Sequence, residues 1–126
     1  MNMVFVFGSN LAGIHGAGAA AYAEHNLGAQ MGVGRGRTGQ CYALPTKGSR
    51  IQCMSLGFIK QSVEGFINHA AAHPEDEFKV TRVGCGLGGY KDKDIAPFFV
   101  DAPPNCHFDS AWKPYLPVNF NFWGTI

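Results

Sequence analysis

Met3-Val4-Phe5-Val6-Phe7-Gly8-Ser9-Asn10 decides how the rest of the chain is read. Five consecutive apolar residues, mostly β-branched or aromatic, leave no polar face for water, and the Gly-Ser-Asn that follows ends the run. This is the pattern of a central strand buried on both sides. Residues 18–25 then read Gly-Ala-Ala-Ala-Tyr-Ala-Glu-His, rich in the best helix former and closed by Asn26-Leu27-Gly28, which predicts a helix. Residues 41–44 predict a second strand, with Pro45 expected to end its ladder and hold Leu44 extended. From Ser55, a residue type that caps helices, the apolar positions Leu56, Ile59, Val63, Phe66, Ile67 and Ala70 keep helical spacing as far as Pro74. Residues 78–83 alternate into a third strand, 84–90 are a glycine loop, 95–100 carry a short helix and 105–108 a last strand. Strands and helices that alternate in this way predict an α/β fold: a mainly parallel sheet with helices on both faces.

With 126 residues the chain is long enough for one domain, 1–126, and Leu, Ile, Val and Phe supply about a quarter of it, above the level of disordered chains. A net charge of +1 provides no overall field to recruit DNA or an acidic membrane, so sequence-specific nucleic-acid binding is not expected. No apolar run approaches a membrane helix and the N-terminus has no basic leader, which makes the cytoplasm the default location. Cys41, Cys53, Cys85 and Cys106 are widely spaced and read as buried thiols, not as a disulfide framework. Cys85, Cys106 and His107 lack the paired spacing of a zinc site. His69 and His73 lie four apart at the end of the longest helix, where histidine favours the dipole. Neither a metal nor a cofactor is expected. The tail at 109–126, with Trp112, Tyr115, Phe120, Phe122 and Trp123, has too many aromatics for a solvated linker. It packs either on the domain or on a second copy, so a homo-oligomer stays open.

Glycine, 17 of 126 residues, is about twice its usual share. Much of the surplus falls in loops that leave the C-terminal ends of strands, residues 8–18 and 84–90, with 45–50 as a third loop on the same edge. In a parallel sheet such loops converge on one crevice. The first also runs into a helix N-terminus, whose free N–H groups favour an anion, so a nucleotide diphosphate fits this edge. Known phosphate motifs do not. Residues 8–13 have Walker A spacing, but Ile14 and His15 stand where Lys and Ser or Thr are required. Residues 34–39 match G-x-G-x-x-G literally yet lead into a strand. The loop 28–40 should lie at the opposite edge, where Arg35 and Arg37 bind phosphate or, the favoured reading, decorate an excursion that caps the sheet or meets a second copy.

These segments resemble the macrodomain superfamily, whose members bind ADP-ribose and in some cases remove it from proteins or nucleic acids. Residues 4–10 with Gly16-Ala17-Gly18 resemble the macrodomain strand that ends in Asn before a glycine-rich loop. Leu44-Pro45-Thr46-Lys47 before a long helix is similar to the terminal ADP-ribose glycohydrolase and DarG antitoxin branch, and residues 83–89 resemble the second ligand loop. The pattern is also similar to compact members common in bacteriophages, which implies a phage source and host cytoplasm. The resemblance implies a three-layer α/β/α macrodomain-like fold with a mostly parallel mixed sheet. It also implies that Asn10 contacts the distal ribose, that residues 16–18 and 84–89 wrap the diphosphate, and that Lys47 is catalytic. In the lysine-using branch an Asp follows the Gly-Cys-Gly-Leu run; Gly88 stands there in this chain.

The candidate ligand-binding set is Gly8, Ser9, Asn10, His15, Gly16, Ala17, Gly18 and Thr46 on the first two loops. On the third it is Gly84, Cys85, Gly86, Leu87, Gly88, Gly89 and Tyr90, with Lys47 as candidate nucleophile. Lys47 could attack a ribose C1, pair with phosphate or stay solvated; His15 has a side chain suited to proton transfer, though a structural role is the favoured reading; and Tyr90 and Phe108 could stack on a ring, though as isolated aromatics they read first as core. Three readings follow: an ADP-ribosyl glycohydrolase, a non-catalytic protein that sequesters NAD-derived host defence signals, and an oligomeric accessory protein whose loops bind nothing.

Overall fold

The computed structural model describes residues 2–125, with backbone only at Asn2 and Leu87. The expected central strand is β1 (Asn2–Asn10). Its alternation sends Val4 and Val6 to one face and Phe5 and Phe7 to the other, and each pair belongs to a separate core. Helix α1 (Gly18–Asn26) covers the Phe5/Phe7 face through Ala19, Ala20 and Ala23, small residues that let it lie close to the sheet. Helix α2 (Leu56–Ala72) covers the other face with Ile59, Val63, Phe66 and Ala70, one stripe at helical spacing. Ser55 caps α2 as expected, its Oγ accepting from the Phe58 N–H at 3.2 Å.

The sheet has six strands in the order β2-β3-β1-β4-β5-β6, with β2 (Gly36–Thr38), β3 (Cys41–Lys47), β4 (Asp76–Val80), β5 (Cys106–Asp109) and β6 (Asn121–Gly124). All neighbours are parallel except β2 and β3. The α/β class and the mostly parallel sheet agree with expectation, and among the described residues no helix is long and apolar enough to cross a membrane.

Several boundaries differ. Strand β3 runs through Pro45 to Lys47, because β2 pairs only as far as Ala43 and leaves the outer edge free, so the missing proline N–H breaks no ladder. Strand β4 begins earlier and stops at Val80. Thr81 still donates its N–H to the Val6 carbonyl, and the chain then turns away. The short helix expected at 95–100 is instead α3 (Asp92–Ile95) followed by a 3₁₀ turn, Ala96–Phe99. The aromatic tail packs on the sheet. Trp112 is fully buried, Phe120 stacks on Phe108, and β6 extends the sheet beyond β5.

The segment 28–40 is the largest departure. Its second part is the edge strand β2, and Arg37 pairs with Asp76 at 3.1 Å across the sheet end. Its first part returns to the crevice edge, not to the opposite one. Gly32 donates to the Gly13 carbonyl at 2.8 Å, and the Ser9 hydroxyl donates to the Gly34 carbonyl. Gly34 lies so close beneath Asn10 that a Cβ there would sit 2.0 Å from the Asn10 oxygen.

Candidate functional site

Three chain segments converge on a cleft of about 390 Å³ at the C-terminal edge of β1, β3 and β4. Its size falls within the range of small-molecule sites. Gly8, Ser9 and Asn10 form one wall and Thr46 and Lys47 another. The β1–β3 register slips between Ser9 and Asn10, so Asn10 pairs directly with Lys47. This bulge puts the two residues side by side at the rim.

The floor is the start of α1, with Gly16, Ala17, Gly18, Ala19 and Ala20 all lining the cleft. Ala17 occupies the N-cap and has no side-chain oxygen to accept the first N–H groups. Those donors have no partner within the helix, and they carry the positive end of its dipole. The third wall is Gly84, Cys85 and Gly88. Gly84 sits at φ +77°, a backbone conformation that side chains rarely adopt, so glycine permits the turn; a Cβ there would meet Ile95 and Thr46 only at ordinary contact distance.

Lys47 and Arg82 line the cleft, and among the described residues no Asp, Glu or His does. Arg82 is anchored: its Nε and one Nη donate to the two Asp92 oxygens at 2.7 and 2.9 Å. Asp92 also accepts from the Trp112 indole at 2.8 Å. Burial opposes its charge, but the hydrogen bonds from Arg82, Trp112 and Cys85 outweigh that and hold its carboxyl below the ordinary range. Burial pushes the Cys85 thiol up to about 12, with Asp92 adding to the shift. Cys85 is therefore a neutral thiol, not a nucleophile.

Several other candidates lie outside the lining or are engaged within the protein. His15 is buried behind the first loop, its ring edge-on to Phe7 and its Nε2 hydrogen-bonded to the Gln30 carbonyl at 2.9 Å. It is not among the residues lining the cleft. Gly86 and Gly89 belong to the 3₁₀ turn Gly86–Gly88 and its cap, beside the lining residues but not among them. The Leu87 side chain lies outside what is described. Tyr90 donates its hydroxyl to the Met54 carbonyl at 2.7 Å, and Phe108 is core. Asn10 lines the cleft, but its amide is engaged: Oδ1 accepts from the Ile14 N–H at 3.1 Å and Nδ2 donates to the Ile14 carbonyl at 2.8 Å. All four cysteines are free thiols; Cys41 and Cys106 are buried as expected, Cys85 is half-buried, and Cys53 is exposed because it lies in the crossover between β3 and α2. No group of His, Cys, Asp and Glu among the described residues could hold a metal.

Sequence reading missed Ile14, Ala19, Ala20, Ile51, Thr81, Arg82 and Val83 as lining residues. The signal for residues 81–83 was available, since they follow the C-terminal end of a parallel strand. It was hidden by extending that strand to Val83. No family model, curated protein or solved structure matches the chain.

Proposed function

We propose that this cleft binds ADP-ribose or an ADP-ribose-containing nucleotide. One observation carries the reading: an uncapped helix N-terminus, two glycine-rich turns and Lys47 face one hollow whose lining contains no acidic side chain. Such a hollow favours a diphosphate, through backbone N–H groups and positive charge together. The ribose-bearing identity of the ligand comes from the resemblance of the three loops to the macrodomain superfamily, and the parallel sheet with a helix on each face is compatible with that architecture.

Binding is better supported than turnover. Hydrolysis of an ADP-ribosyl bond to a base or a hydroxyl is helped by a proton donor for the leaving group, and among the described residues the lining offers no carboxylic acid and no imidazole. This favours a protein that holds the nucleotide, in the manner of a sequestering module. The place of Lys47 in the lining keeps the hydrolase as the second reading: the neutral lysine amine forms a bond to the ribose C1 as the bond from C1 to the modified group breaks, that group leaves with the amine's proton, and water then cleaves the adduct to release ADP-ribose and restore the lysine.

Calorimetric titration with ADP-ribose tests the first reading, and release of ADP-ribose from modified DNA or protein tests the second. Binding without turnover supports the holding function. Turnover that is lost in Lys47→Ala while affinity persists supports the hydrolase. Absence of heat with ADP-ribose and its derivatives overturns both.

A further inference from the structure

Apart from Lys47, which the nucleotide-binding reading gives to the diphosphate, the polar side chains of the cleft are already occupied. Ser9 Oγ donates to the Gly34 carbonyl, and Thr46 Oγ1 to the Ser9 carbonyl at 3.4 Å. Thr81 Oγ1 donates to the Val6 carbonyl at 2.6 Å, Asn10 uses both ends of its amide on Ile14, and Arg82 holds Asp92. The exposed side chains of the lining include two isoleucines. Ile14 is 49% exposed on the loop after β1, and Ile51 is 42% exposed on the loop after β3.

Both are held there by local structure. The Asn10 amide clasps the Ile14 backbone by its N–H and its carbonyl, which fixes where that side chain is presented. Ile51 is the only non-glycine residue among the described ones with positive φ, at +61°. A β-branched residue rarely adopts that conformation, and strain of this kind gathers at ligand clamps.

We infer that Ile14 and Ile51 grip the nucleobase of the bound nucleotide by apolar contact, and that the cleft therefore does not choose between adenine and guanine. The inference rests on the nucleotide-binding reading above. A purine presents apolar faces to the isoleucines, while its distinguishing edge groups meet no side-chain carboxylate and no uncommitted amide.

The test is calorimetry with ADP-ribose and GDP-ribose on wild type, Ile51→Gly and Ile14→Ala, with thermal melting of each as the folding control. Wild type should bind the two nucleotides within about threefold of each other. Closing over about half of the exposed part of one isoleucine corresponds to about fivefold in affinity, so each variant should weaken both ligands by about that factor. Glycine accepts the left-handed backbone, so Ile51→Gly should bind more weakly without melting earlier. A preference above about tenfold for either base, or unchanged affinity in Ile51→Gly, overturns the inference while leaving nucleotide binding intact. No binding of either ligand by wild type overturns the nucleotide-binding reading itself, and this inference with it.

Discussion

Replacing Gly34 by Ala tests the least expected part of the fold, the return of residues 29–34 beneath the first crevice loop. The new Cβ would stand 2.0 Å from the Asn10 carbonyl oxygen, 3.0 Å from its carbon and 3.1 Å from Leu11 Cα. Ordinary contact begins near 3.4 Å, and all three neighbours are backbone atoms that cannot rotate aside. The two segments must therefore separate, straining the turn and breaking the Ser9 hydrogen bond to Gly34. Overpacking of this kind costs roughly 1–3 kcal/mol and a lost buried hydrogen bond about 1 more, so the loss should be near 3 kcal/mol. With a urea slope of about 1.5 kcal/mol/M, the midpoint should fall by about 2 M. Gly16→Ala is the control, since an added Cβ there meets nothing within 4 Å, and its midpoint should move by less than about 0.3 M. If Gly34→Ala unfolds at the wild-type midpoint, residues 29–34 do not pack under Asn10 and the cleft wall is built differently.

Two further outcomes follow from the charges and thiols around the cleft. The carboxyl of Asp92 is held below its ordinary value in the folded state, so it contributes stability above the unfolded pKa of about 3.9 and loses it as pH falls through the folded value. Asp92→Asn should lower the melting temperature at pH 7, with the gap to wild type closing below about pH 4; a gap independent of pH would refute the ion-pair account. Alkylation by iodoacetamide at pH 8, followed by peptide mass spectrometry, should label exposed Cys53 first. Cys85 and Cys106, each pushed up to about 12 by burial, should react far more slowly, and labelling of Cys85 as fast as Cys53 would contradict its place beside Asp92.

Periodicity and punctuation determined much of this molecule. The unbroken apolar run at 3–7, the alanines of α1 and the helical stripe of α2 each read correctly, because burial on both faces or on one stripe imposes a pattern on neighbours in sequence. The three loops at one sheet edge were legible for a related reason: strand direction fixes where parallel connections emerge. Only the tertiary structure decided the rest. Strand β2 has three residues and a sequence of Gly-Arg-Thr, and it exists because β3 offers an edge to pair with. His15 is fixed in the interior by Phe7 and Gln30, the latter fifteen residues away along the chain, and Asn10 is drawn to Ile14 and not left free for a ligand. Pro45 stays in a strand because its outer side has no neighbour there. In each case the deciding partner is remote in sequence or is a backbone group, and neither leaves a mark on the local residue pattern.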